Sequence, residues 1–181
     1  DWQKEAFQKG SLNRINVSGS GGTDKTRFYA GLAYDDTKGI LRGNNMNKMS
    51  ARLNLDQQAT DKFSFGMQMN VIRTEMERVQ NDNAFATPLQ LVAQSPLTPV
   101  YDPETGELNT ETIYYNGLIS LRDETNNQTS FRSLANIYAA YNIFKDLTFK
   151  SEFATDIYDM REKSFWGRKT ITGGPAGEAQ N

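Results

Sequence analysis

The chain contains no cysteine and no histidine in its 181 residues. The first absence removes disulfides and thiol chemistry and leaves the redox compartment undetermined. The second removes the commonest general base and every histidine-containing metal site. No apolar run approaches the ~20 residues of a spanning helix, and the mean hydropathy is -0.68. A surplus of one charge is missing too: the formal net charge of -2 gives no electrostatic footprint for nucleic acid. The acidic residues are dispersed rather than paired, and Asp102-Pro103-Glu104-Thr105-Gly106 has the composition of a proline-containing turn rather than of a catalytic site. There is no initiating methionine and no signal peptide. With a start at Asp1 and a polar tail over 173–181, the expectation is an internal piece of a longer protein.

What is present is alternation. Phe63, Phe65, Met67, Met69 and Val71 alternate with Ser64, Gly66, Gln68 and Asn70, so one face of this segment is apolar and the other small or polar. The apolar face is about nine residues long. That is near the ~9–11 residues a tilted strand needs to cross a bilayer and longer than the usual ~5–6 of a globular strand. The pattern recurs. Met49, Ala51, Leu53 and Leu55 alternate with Ser50, Arg52, Asn54 and Asp56; Phe28, Ala30, Leu32 and Tyr34 form another apolar set. Ala135, Ile137, Ala139, Tyr141 and Ile143 follow suit, as do Leu147, Phe149, Phe153 and Ile157, with Ser151 and Thr155 interrupting that last face. Ile15 and Val17 mark a shorter first strand. The strands are expected over 13–20, 26–35, 47–57, 62–78, 131–144 and 147–166. Because only alternate residues face lipid, such a barrel has a polar average even when its membrane band is apolar.

The connections alternate in length. Gly21-Gly22-Thr23-Asp24, Thr60-Asp61 and Lys145-Asp146 are short turns with the glycine or aspartate that turn geometry favours. The stretch 35–48 contains a loop of moderate size, and 79–130 is a very long one. Short turns on one rim and long loops on the other are the pattern of an outer-membrane barrel. Six strands are fewer than the eight of the smallest single-chain membrane barrels, and open edges are not tolerated in hydrocarbon. The expected fold is therefore all-β, an antiparallel transmembrane sector of a larger barrel. Phe63, Phe65, Met67, Met69 and Val71 are expected to face lipid, and Arg52, Gln68, Asn70, Lys150 and Glu152 the lumen.

Several stretches invite sharper chemistry. Gly19-Ser20-Gly21-Gly22-Thr23-Asp24-Lys25-Thr26 superficially resembles a phosphate-binding loop, but Asp24 stands where the glycine before lysine is required and a strand follows instead of a helix. A hairpin turn explains the glycines. Asp35-Asp36 and Asn81-Asp82-Asn83 offer oxygen ligands for calcium without the spacing of a defined loop such as the EF-hand; solvated loop polarity accounts for them, and no cofactor is expected otherwise. Thr87-Pro88-Leu89-Gln90 fits a capping box, with Leu89, Val92 and Ala93 as the apolar face of a short helix ended by Ser95-Pro96. Tyr114, Tyr115 and Asn116 in the long loop, and Trp166 with Arg168 after the last strand, are the candidate ligand contacts. A sugar ring stacks on such aromatics while its hydroxyls seek amides. Interfacial girdles of membrane barrels draw on the same residue types.

Certain words of the sequence resemble a known family. These are Asp1-Trp2-Gln3, the run 16–26 followed by Phe28-Tyr29, Gly39-Ile40, Arg52-Leu53-Asn54-Leu55-Asp56, Pro88-Leu89-Gln90, and Ser95-Pro96-Leu97-Thr98-Pro99-Val100-Tyr101. Together and in this order they resemble the SusC/RagA type of TonB-dependent outer-membrane transporter. The resemblance implies a barrel of about twenty-two strands filled by an amino-terminal plug that is not in this chain. It also implies import of oligosaccharides or peptides across a Gram-negative outer membrane, energy from TonB acting through the plug, a SusD-like lipoprotein lid and no enzymatic activity. The rival expectation is a soluble β-rich carbohydrate-binding module, with a hydrolase a distant third.

Overall fold

The computed structural model describes residues 1–79, 89–175 and 177–180. Period-two alternation is realised as six long strands: β1 (Ser11–Gly22), β2 (Thr26–Lys38), β3 (Asn45–Gln58), β4 (Phe63–Glu77), β5 (Glu124–Phe144) and β6 (Leu147–Trp166). A three-residue strand, β7 (Glu178–Gln180), adds to the far edge. Sequence order is also sheet order, and every neighbouring pair is antiparallel. Three short helices, α1 (Trp2–Ala6), α2 (Leu89–Ala93) and α3 (Gly117–Asp123), lie outside the sheet. Among the described residues no helix is long and apolar enough to cross a membrane.

The strands run further toward the long-loop rim than the alternation indicates. β2 continues to Lys38 and β3 starts at Asn45, so only 39–44 connects them, and β5 starts at Glu124 rather than near residue 131. The physical reason is that Asp36, Lys38, Asn45, Asn47, Glu75, Glu77, Asn127 and Thr129 sit at the positions where the apolar marker would fall. Main-chain pairing continues past them, for example Asp36 with Asn47 and Glu75 with Thr129.

Register sorts the side chains into two faces. Val17 lies opposite Leu32, Leu32 opposite Ala51, Ala51 opposite Val71, Val71 opposite Ser133 and Ser133 opposite Ile157. Lower on the sheet the sequence is Phe28, Leu55, Met67, Ile137, Phe153. Facing residues share a side of the sheet, so the apolar sets of all six strands merge into one continuous surface. Phe63, Phe65, Met67, Met69 and Val71 run through its middle over about 26 Å of strand. Large side chains such as Leu32, Met49, Ile137 and Phe153 are open, Phe153 to 69%, and those of β4 are half-buried among their neighbours, so it is not a packed core.

On one rim the connections are short. Thr23 Oγ1 accepts from the main-chain N–H groups of Lys25 and Thr26, both at 3.2 Å, and Thr60 Oγ1 accepts from those of Lys62 at 3.3 Å and Phe63 at 3.0 Å. A Cβ at Gly22 would lie 2.2 Å from the carbonyl oxygen of Thr26, which is why the first hairpin closes on glycine. The glycine-rich run 19–26 thus forms a hairpin.

The hydrophobic core sits at the opposite rim. Trp2, Ala6, Leu41, Leu91, Val100 and Leu118 cluster there, joining α1, the 39–44 connection, α2 and α3. Trp2 Nε1 donates to the carbonyl of Thr98 at 3.0 Å, the Arg42 N–H to that of Ala6 at 3.1 Å, and the Val79 N–H to Asn44 Oδ1 at 3.0 Å. Leu91 is fully buried, whereas Val92 is 43% exposed and Ala93 is exposed too. The expected apolar face of α2 is corrected accordingly. A single helical turn wedged between α1 and α3 turns Leu91 inward and leaves Val92 and Ala93 outside; the side chain of Leu89 lies outside the described ones. Thr87 and Pro88 of the expected capping box lie outside the described residues.

Candidate functional site

The face opposite the apolar surface is polar and organised across strands. Arg14 Nε donates to Asp35 Oδ1 at 2.6 Å, with a second bond from its NH2 nitrogen at 3.2 Å. Arg132 grips Asp156 in the same two-point manner at 3.0 and 2.6 Å. Arg78 reaches Glu162 at 3.0 Å, and Lys150 pairs with Glu152. Bidentate geometry fixes orientation as well as charge, so the two arginine–aspartate pairs brace neighbouring strands, β1 to β2 and β5 to β6, whereas Lys150 and Glu152 both lie on β6.

Tyr138 forms a second kind of brace. Gly66 lies opposite Tyr138 on one side and Asp56 on the other, and the ring crosses the bare glycine so that its hydroxyl donates to Asp56 Oδ1 at 2.7 Å. Lys150 Nζ sits 4.7 Å from the ring centroid, close enough for cation–π attraction. A Cβ at Gly66 would come within 2.4 Å of Tyr138 Cε1 and 2.8 Å of the Leu55 carbonyl. Gly66→Ala is expected to cost about 1–3 kcal/mol by expelling the ring. In a double-mutant cycle with Tyr138→Ala followed by thermal unfolding, the two losses should be clearly less than additive; simple additivity would show that the ring does not depend on the glycine.

All five expected lumen residues lie on this polar face. Asn70 stands opposite Arg52, Asn136 opposite Gln68, and Glu152 opposite Tyr138. Arg52, Asn54, Gln68, Asn70, Leu134 and Asn136 border an open groove of about 630 Å³. Asp56, Tyr138, Arg132 and Asp156 belong to the same wall; the alternation of β3 already places Asp56 opposite the aliphatic face, but none of the four is among the expected lumen residues. Their signal was their position alternating with apolar residues on β3, β5 and β6; which of them meet is set by cross-strand register.

The rim candidates divide. Tyr114 and Arg168 are exposed. Tyr115 is partly covered: its hydroxyl donates to the carbonyl of Lys169 at 3.3 Å, and burial pushes its ionisation up. Asn116 is 1% exposed and is corrected from ligand contact to helix cap. Its Oδ1 accepts from the Leu118 N–H at 3.1 Å and its Nδ2 donates to the Asn109 carbonyl at 2.9 Å, a capping arrangement that holds the amide inside the loop packing. Trp166 is 8% exposed, so its ring is packed at the end of β6 and offers no stacking platform. Residue type suggested these two; loop packing removed them.

Asp35 and Asp36, adjacent in β2, point to opposite faces, since strand side chains alternate, and Asp35 is engaged by Arg14. They cannot chelate one ion together. Asn81, Asp82 and Asn83 lie outside the described residues. Among the described residues no group of three or more carboxylates is placed to hold a metal. Asp102 is part of a turn: its Oδ1 accepts from the main-chain N–H groups of Thr105 at 2.9 Å and Glu104 at 2.8 Å, which hold its carboxyl below the ordinary range.

No protein-family model matches the chain. It is 25% identical over 192 aligned residues to TonB-dependent receptor P3 of Formosa agariphila, covering 99% of this chain and 19% of that receptor. It is 22% identical over 171 residues to TonB-dependent receptor P39 of the same organism, covering 94% and 16%. Among solved structures, the RagAB peptide transporter superposes with a TM-score of 0.75 at 22% identity, covering 99% of this chain and 21% of that one. The RagAB peptide importer in its closed-closed state gives 0.72 at 21% identity, with 92% and 20% covered. The chain therefore spans about a fifth of the length of these proteins. By sequence likeness and by fold together, the chain resembles a barrel segment of a SusC/RagA-type TonB-dependent transporter.

Proposed function

We propose that this chain forms part of the wall of an outer-membrane, TonB-dependent importer in a Gram-negative cell, taking up oligosaccharides or peptides and carrying out no catalysis itself. The observation that carries the proposal is the apolar surface shared by six strands and left open to the outside. Phe63, Phe65, Met67, Met69 and Val71 face lipid in this reading, while Arg52, Gln68, Asn70, Lys150 and Glu152 face the plug or the water-filled lumen. The long-loop rim lies outside the cell, where a SusD-like lipoprotein closes over Tyr114, Tyr115 and Arg168; TonB acts through the plug. A soluble binding module would need to cover that apolar surface. In water, a continuous exposed patch of this kind is an aggregation or interaction surface, not a stable exterior.

The test is uptake by cells producing the full-length transporter, with fluorescent oligosaccharide and peptide mixtures offered separately, in TonB-competent and TonB-deficient backgrounds. Accumulation of one class only when TonB is present is expected. Equal accumulation without TonB, or none of either class, would remove the proposal.

A further inference from the structure

The apolar side of the sheet changes chemistry before the strands end. Arg73, Glu75 and Glu77 continue the alternation of Phe63 to Val71 along β4, as Asp36 and Lys38 continue that of Phe28 to Tyr34 along β2, and Asn47 and Asn45 that of Met49 to Leu55 along β3. Register aligns these residues in rows. Asp36, Asn47, Glu75 and Thr129 lie side by side on four strands, and Lys38, Asn45, Glu77 and Asn127 form the next row toward the long-loop rim. Side-chain contacts place them on one side: Asn13 Nδ2 donates to Asp36 Oδ2 at 3.4 Å, Asn45 Nδ2 to Glu77 Oε2 at 2.9 Å, and the Tyr34 hydroxyl to Asn47 Oδ1 at 3.5 Å.

Two grooves lie end to end on this side. The first, of about 510 Å³, is bordered by Ile15, Val17, Leu32, Met49, Ala51 and Val71; it opens over the short side chain of Ala51, which stands between Leu32 and Val71. The second, of about 480 Å³, is bordered by Asp36, Lys38, Asn45, Asn47, Glu75 and Asn127. Tyr34 and Arg73 border the first groove at the end where the second begins, one row short of Asp36 and Glu75. From Phe63 to Arg73, a strand tilted by about 40° climbs about 26 Å, which matches the apolar band of about 25 Å in an outer-membrane barrel. The first groove therefore lies at the depth of acyl chains and the second at the depth of headgroups.

We infer that the two grooves together form a site for a glycolipid, its acyl chain over Ala51 and its saccharide head against Asn45, Asn47 and Glu75. The inference rests on the apolar side facing lipid. The lining of the second groove selects the head. Asp36, Glu75 and Glu77 outnumber Lys38 there, which disfavours a phosphate, whereas carboxylates accept from sugar hydroxyls and amides both accept and donate. Arg73 stands at the junction; it donates to Glu75, and a guanidinium has five N–H groups, so others reach the carbonyl oxygens that join chain to head. A free saccharide would leave the apolar groove uncovered and a fatty acid the polar one. Their continuity calls for a molecule that carries both parts.

The test is native mass spectrometry of the full-length transporter, delipidated in lauryldimethylamine oxide, a detergent without sugar. It is then offered digalactosyl diacylglycerol, phosphatidylethanolamine or phosphatidylglycerol, one at a time and with matched acyl chains. The digalactosyl lipid is expected to be retained on the order of tenfold more than either phospholipid. Ala51→Phe fills the first groove with a side chain that lipid accepts, and Asn47→Leu removes an amide from the second; each should erase the preference. Phe153→Leu, on the same side but outside both grooves, should keep it. Equal or greater retention of a phospholipid would overturn the inference, as would a preference that survives either groove substitution in folded protein. A spin label at residue 153 separates the two levels of failure: broadening by an aqueous rather than a lipid-dissolved relaxation agent would instead overturn the lipid-facing reading itself.

Discussion

Met67→Arg is expected to destabilise the full-length barrel in a bilayer by about 2–4 kcal/mol, the cost of a cation on the lipid side near the midplane, while Gln68→Arg next to it costs little. Met67 lies halfway along the apolar run of β4 and is flanked by Leu55 and Ile137. An arginine there has no water and no carboxylate within its row of Phe28, Leu55, Ile137 and Phe153. Gln68 points the other way, between Asn54 and Asn136, where a longer polar side chain meets amides and the open groove. One step along a strand thus separates a heavy loss from a mild one, as it must when the side-chain period is two. Urea unfolding in lipid vesicles reads the difference, and heat-modifiable mobility of the outer-membrane fraction reads it in cells. Equal losses from the two substitutions, or the larger loss from Gln68→Arg, would mean that the apolar surface does not face lipid.

The strands could be read from the sequence where one face is apolar and the other is not. β3 and β4 show this well: Met49 to Leu55 and Phe63 to Val71 each mark a face without help from any distant residue. The first turn of β5 could not be read, because Glu124, Asn126 and Gln128 alternate with Thr125, Asn127 and Thr129 and so carry no contrast between faces. What extends the strand there is main-chain pairing with β6, from Glu124 opposite Trp166 onward. The polar wall was legible as a set and not as pairs. Lys150 and Glu152 were identified as lumen residues, but the hold of Tyr138 on Asp56 across Gly66 depends on the register of three strands. The loops were least legible. Trp2 and Thr98 are 96 positions apart, and nothing local to Asn116 or Trp166 shows that packing will enclose one as a cap and the other at a strand end.

That packing makes the long-loop rim a unit with its own stability, and Leu91→Ala is expected to expose it. Leu91 is completely buried against α1, the 39–44 connection and α3, and removing such a side chain costs about 2–5 kcal/mol. The sheet does not share this core, so the loss falls on the loops. Residues 89–123 and α1 should open at lower denaturant while β2 to β6 keep their hydrogen bonds, in the manner of a local unfolding unit. Val92→Ala, at a largely exposed position on the same helical turn, serves as the matched control and should change little. Hydrogen exchange of the full-length protein in detergent would resolve the regions. Faster exchange confined to α1, 39–44 and 89–123 is the expected result, and it should be accompanied by loss of uptake, because Tyr114 and Tyr115 are held through Gln94 Nε2, which donates to their carbonyls at 2.6 and 3.3 Å. Exchange that quickens equally in β3 and β4 would show the loops and sheet to be one cooperative unit, and unchanged exchange everywhere would show that the buried leucine does not hold the rim together.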